Sequence, residues 1–158
     1  MIRLPSFGPR GEGYVAIQAV LLVAVVATMT LGPAWTGALR AVGATAGLLL
    51  VLAGGWLAVR GARDLADNLT PFPRPNETNR LVKTGSYGLV RHPIYGGLIL
   101  AAAGLGLLAA SPATLLAAAA LDLLFELKSR REEDWLVERH PGYAAYRART
   151  RRFIPGLH

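Results

Sequence analysis

The hydrophobic pattern divides the chain into four apolar runs, 14–31, 39–59, 94–110 and 113–127, separated by polar stretches of unequal length. An α-helix needs about 20 residues to cross a bilayer, so the first two runs are long enough to span. The last two are near the lower limit and imply tilt or local thinning of the bilayer. The first run is interrupted only by Gln18, Thr28 and Thr30. Gly32-Pro33-Ala34-Trp35 then reads as a turn with an interfacial Trp. Ser111-Pro112 is a tight break that makes runs three and four a hairpin. No helix breaker follows until Pro141-Gly142, so the fourth helix continues through 128–139. The segment 60–84 is polar, and Pro71, Pro73 and Pro75 forbid a long helix there, which leaves a functional loop or a linker.

The pattern predicts an all-α fold: one polytopic membrane domain over 1–158 with four transmembrane helices. Charge sets its orientation. Arg3 and Arg10 precede the first run, and Arg60, Arg63, Arg74, Arg80, Lys83 and Arg91 lie between the second and third. Eight Lys and Arg residues follow the fourth run, and only Arg40 lies near the opposite side. The positive-inside rule places both termini and the middle loop in the cytoplasm. A secretory signal peptide is the other reading of the first run, with Arg3 and Arg10 as its basic region. Gly43-Ala44-Thr45-Ala46-Gly47 is a GxxxG pattern, open to packing within the chain or to a homodimer.

Composition narrows the chemistry. The chain has 158 residues, 53% of them hydrophobic, with a net charge of +7 and no cysteine. Disulfides, thiolate metal sites and Cys nucleophiles are excluded. His92, His140 and His158 lack metal-ligand spacing, so no metal is expected. The basic residues flank apolar runs, which points to a membrane and not to nucleic acid.

The candidate chemistry lies where the third run begins and the fourth ends. Pro93 suits the first turn of a helix, and His92 before it is pushed out of helical geometry. His92 therefore sits at a helix mouth whose unpaired N–H groups favour anions. Gly96 and Gly97 let another group approach the backbone closely. Glu132 and Glu133 point about 100° apart, so one is expected to face the His92 pocket and the other solvent or Arg130. A solvated charged face with a Lys128–Glu132 pair is the alternative. Asp122 and Glu126 share a helix face, Asp122 being the deeper. Tyr87, Tyr95, Tyr143 and Tyr146 are open to an interfacial role. Neither a Rossmann fingerprint nor a P-loop is present.

Together, Leu81-Val82-x-x-Gly85-x-Tyr87-x-x-x-Arg91-His92-Pro93-x-Tyr95-x-Gly97, Glu132-Glu133-x-x-Leu136, Tyr143-x-x-Tyr146 and Arg152-x-x-Pro155 resemble the isoprenylcysteine carboxyl methyltransferase and phospholipid methyltransferase superfamily of membrane enzymes. The resemblance spans 81–155; the first two helices resemble the family only in being apolar. It implies S-adenosylmethionine-dependent methyl transfer to a lipophilic, membrane-embedded acceptor at the cytoplasmic face. It also implies a cofactor pocket built from 79–95 and 128–155. By motif position, Asn79, Arg80, Leu81, Val82, Tyr87, His92, Pro93, Ile94, Tyr95, Glu132 and Glu133 match the cofactor-binding residues. Where isoprenylcysteine methyltransferases carry an acceptor-orienting Arg, four residues before the first Glu, this chain has Lys128, which keeps the charge without the bidentate fork. A small membrane transporter or scaffold is the non-enzymatic alternative, and an NADPH-dependent sterol-type reductase the enzymatic one.

Overall fold

The computed structural model describes residues 7–31, 35–74 and 80–155. Gly32, Pro33 and Ala34 of the expected turn, together with Pro75, Asn79 and His158, lie outside them. The fold is all-α: α1 (Glu12–Ala27), α2 (Gly37–Leu65), the short α3 (Ser86–Leu89), α4 (Pro93–Ala109), α5 (Pro112–Arg139) and α6 (Tyr143–Arg149). No strand occurs among the described residues; one isolated parallel bridge joins Val90 to Arg151. Two helical stretches, Glu12–Thr30 (19 residues) and Gly37–Asn68 (32 residues), are long and apolar enough to cross a membrane. Val20, Val23, Leu52, Trp56, Leu116 and Leu123 are more than half exposed. So much outward apolar surface suits hydrocarbon better than water.

The long helices pack in the order α2, α4, α5, α1, and α1 also touches α4. Although adjacent in sequence, α1 and α2 do not pack on each other. The closest contact is between α2 and the antiparallel α4, where glycines recur at heptad spacing. A β-carbon at Gly47 would lie 2.6 Å from the Gly104 carbonyl oxygen, one at Gly54 2.5 Å from that of Gly97, and one at Gly61 2.9 Å from the Pro93 ring. Without Cβ atoms the two backbones come into direct contact, which is how membrane helices associate where burial from water offers no drive. Gly43, the other half of the GxxxG pattern, packs under the Trp35 ring.

The helix ends are closed by specific groups. Ser111, the N-cap of α5, accepts from the Thr114 N–H (3.2 Å), and Pro112 occupies the first turn. The same Ser111 hydroxyl donates to the Thr28 carbonyl (2.9 Å), tying the end of α1 to the α4–α5 turn. Arg40, the basic residue that runs against the charge asymmetry, donates to the Leu108 carbonyl at 2.6 Å. It thus satisfies the C-terminal end of α4, where a cation is favoured. α5 continues unbroken to Arg139 and carries Glu132 and Glu133 beside the start of α4.

The glycine seam yields a paired test. Gly54→Ala forces backbones apart and should cost about 1–3 kcal/mol. Gly55→Ala meets nothing within 4 Å and should be neutral or stabilising by up to about 1 kcal/mol through helix propensity. Thermal unfolding of both variants in one detergent checks the contrast; equal stability would rule out the seam as a determinant.

Candidate functional site

The site is built where the middle loop enters α4. Asp64, at the end of α2, accepts from the N–H and hydroxyl of Ser86, both at 2.8 Å, and so closes the start of α3. Gly85 precedes it with φ 62°, a left-handed conformation that glycine adopts freely. The chain then runs beside its own C-terminal segment: Arg91 N–H donates to the Arg151 carbonyl (2.8 Å) and His92 N–H to that of Arg152 (2.9 Å). His92 is the non-helical N-cap of α4, with Pro93 in the first turn. The close approaches anticipated at Gly96 and Gly97 are made by protein backbone. A β-carbon at Gly96 would meet the Phe153 carbonyl, and one at Gly97 would meet α2 at Gly54 and Ala58.

The two adjacent carboxylates have different surroundings. Glu133 is fully buried. Its Oε1 accepts from Arg91 Nε (2.8 Å) and His92 Nε2 (3.2 Å). Arg147 Nε lies 3.2 Å from Oε2, and Arg152 adds contacts at 3.5 Å. Burial opposes the charge, but the His92 and Arg91 hydrogen bonds and charges outweigh it and hold the carboxyl down at about 2. This environment differs from the expected solvent or Arg130; Arg130 pairs with Glu126, which Arg152 also contacts.

Glu132 faces a cavity instead. Its Oε2 accepts from the Tyr95 hydroxyl (2.9 Å) and lies 3.9 Å from His92 Nδ1. Burial raises its pKa, partly countered by His92, the Tyr95 hydrogen bond and Lys128. Although the group is deep in the protein, 24% of its side chain is accessible, at the cavity. Tyr95 is central to this wall. Its ring stacks on His92 (centroids 5.4 Å apart) and Phe125 (4.6 Å), and the Lys128 ammonium lies 5.0 Å from its centroid. Lys128 is buried and donates to Gln18 Oε1 (2.6 Å) and the Pro71 carbonyl (2.9 Å), so it is not committed to an ion pair with Glu132.

The cavity measures about 340 Å³. Arg80, Leu81, Val82, Tyr87, His92, Ile94, Tyr95, Lys128 and Glu132 all line it. Pro93 and Glu133 do not: Pro93 packs on Gly61, and Glu133 stands behind His92. Asn79 lies outside the described residues. Asp122 is exposed on α5 and does not line the cavity.

Several lining residues escaped sequence reading. Leu69, Thr70, Pro71, Phe72 and Pro73 form one wall, so part of the proline-bearing loop belongs to the cavity. Asn68 grips the neighbouring segment at Arg80, accepting from the Arg80 N–H and donating to its carbonyl, both at 3.2 Å. Tyr143 and Tyr146 are buried cavity walls, not interfacial residues, and the Tyr146 hydroxyl donates to the Tyr87 carbonyl at 2.6 Å. Gln18 reaches the cavity from α1. The signal available for Gln18 was its status as the one amide in an apolar run.

The cavity thus has one carboxylate, Glu132, on its wall and a second, Glu133, behind it, on an all-α chain with two helices long enough to span a membrane. The phospholipid methyltransferase family model matches residues 42–142. The chain belongs to this family, which points to methyl transfer at a membrane. Over 82 residues it is 38% identical to a protein of Cupriavidus metallidurans named cobalt-zinc-cadmium resistance protein CzcN. The match covers 51% of this chain and 38% of that protein, so the chain spans well under two thirds of its relative's length.

Glu133→Gln should lower stability at neutral pH by about 3–5 kcal/mol, because it leaves buried cations without their counter-charge. Its folded pKa of about 2 lies below the ordinary value of 4.5. The pair therefore contributes fully above the ordinary value, and that contribution is lost as pH falls from there through about 2. Acid unfolding followed by circular dichroism should show this loss in the parent chain and not in Glu133→Gln. Parallel acid profiles would overturn the assignment.

Proposed function

We propose that the chain is an integral membrane methyltransferase that takes S-adenosylmethionine from the cytoplasm and a lipophilic acceptor from the bilayer. The carrying observation is the cavity at the mouth of α4, where motif residues from the middle loop, α4 and α5 converge on one space. Its volume falls within the range of about 300–1,000 Å³ common to small-molecule sites. Its chemistry fits the cofactor: Glu132 offers a carboxylate to amino or hydroxyl groups, and Leu81, Val82, Ile94 and Leu136 offer apolar walls.

S-adenosylmethionine supplies an activated methyl group on a positively charged sulfur. The protein's task is then positioning and exclusion of water, since an in-line displacement needs no covalent enzyme intermediate. Tyr95 and His92 hold the Glu132 side chain against the cavity, and Glu133 fixes His92 from behind. Arg80, Leu81 and Val82 close the loop side, kept in place by Asn68. Lys128 lies one turn before Glu132, about 6 Å along the helix axis, toward the membrane-spanning part of α5. We assign it to orienting the acceptor. With four crossings and both termini in the cytoplasm, the cavity opens on the cytoplasmic side.

S-adenosylhomocysteine should bind the purified chain and raise its Tm, as a ligand of the native state does. Glu132→Ala and His92→Ala should each weaken that binding roughly tenfold or more, the loss of a hydrogen bond to a charged group being about 1.5–3 kcal/mol. Lys128→Ala should leave it unchanged. Calorimetry on the four proteins measures this; no binding by the parent chain would reject the reading.

Orientation is tested separately. A reporter active only in the cytoplasm should be active when fused at either terminus, as the Lys and Arg distribution requires. Inactivity at the C-terminus would place the cavity on the wrong side for the cofactor.

A further inference from the structure

Gln18 belongs to α1, the helix that owes nothing to the motif-bearing half of the chain, yet its side chain lines the cavity. Its partner fixes its orientation. The Lys128 ammonium can only donate, so the Gln18 atom 2.6 Å away must be the amide oxygen. The amide NH₂ group, with two donors, is then directed away from Lys128. It has no hydrogen-bond partner among the described residues. Lys128 uses two of its three N–H donors, on Gln18 and on the Pro71 carbonyl. This end of the cavity is therefore rich in donors, whereas one helical turn along α5 Glu132 offers a carboxylate.

The packing of the helices leaves α1 and α2 without contact at this end. α1 packs on α5 and on α4, but not on α2. α4 thus carries both α1 and α2, and Gln18 of α1 and Leu98 of α4 both line the cavity.

We propose that Gln18 is the residue that reads the acceptor's polar head. Its amide NH₂, beside the remaining Lys128 N–H, selects lipophilic molecules whose head presents a hydrogen-bond-accepting oxygen. The tail lies along α1 on the side where α2 does not pack on it. The inference rests on the methyltransferase reading, and it assigns to α1 a role in specificity that the family motifs do not contain. Gln18 acts on the acceptor and leaves the cofactor alone, because Tyr95 and Lys128 stand between it and Glu132.

The test uses the full chain in nanodiscs of zwitterionic lipid, saturated with S-adenosylhomocysteine. Dodecanoate, dodecylamine and dodecanol serve as probes of equal chain length, and Tm and apparent affinity are read for each. Dodecanoate should stabilise the parent chain most. Gln18→Leu should weaken dodecanoate binding roughly tenfold, the scale of a lost hydrogen bond to a charged group, with S-adenosylhomocysteine affinity unchanged. Gln18→Glu places a carboxylate at the same point, and the preference should turn toward dodecylamine; a residue that merely packs α1 on α5 would not invert it. Equal response of the parent chain to all three probes would overturn the proposal. So would an unchanged dodecanoate preference in both variants. Failure of S-adenosylhomocysteine to stabilise the parent chain would remove the reading beneath it, and is seen before any probe is added.

Discussion

The buried Glu133 carboxylate is the interaction on which the site depends. It collects Arg91 and His92 from the start of α4, Arg147 from α6 and Arg152 from the C-terminal segment around one position on α5. A carboxylate without access to water is tolerated only when its lone pairs are met by donors, and here the donors come from separate stretches of chain. The result is positional. His92 is held from behind, so its ring stacks on Tyr95, and Tyr95 in turn presents its hydroxyl to Glu132. The residue that faces the cavity is thus positioned by one that does not.

The glycine seam between α2 and α4 supplies the rigid frame for this arrangement. Gly61 against Pro93 sets the height of α4 relative to the end of α2, and Asp64 one turn further on closes α3. From that same end Asn68 holds the backbone at Arg80. A long apolar helix with few polar groups therefore places both ends of the middle loop, because its contact with α4 is between backbones and admits little sliding.

The helices were legible in the sequence because apolar length and the breaks at Ser111-Pro112 and Pro141-Gly142 are local signals. The resemblance carries the motif residues as a set, and nine of the residues it singles out line one cavity. What escaped was the direction of side chains. Adjacency showed that Glu132 and Glu133 diverge, but not that Glu133 turns inward to three arginines contributed from positions 91, 147 and 152. Tyr143 and Tyr146 stayed open to an interfacial role because nothing local reveals that the chain folds back over Tyr87. Gly96 and Gly97 were read correctly as points of close approach, but what approaches them comes from α2 and from Phe153, both distant in sequence.

The separation of α1 from α2 has a consequence for the order in which the site can assemble. Gln18 meets Lys128 across 110 residues, and Arg91 finds its backbone partners at Arg147 and Thr150. α1 finds no packing partner in the long helix that follows it and meets only the later α4 and α5, and the mouth of α4 stays unbraced until the segment 147–153 folds over it. A nascent chain stopped before Arg147 carries the motif from Leu81 to Glu133 but has no C-terminal segment to close around it. Folding of the segment after Arg147 over the mouth of α4 is thereby the event that assembles the cavity, and a chain without it holds the residues without the site.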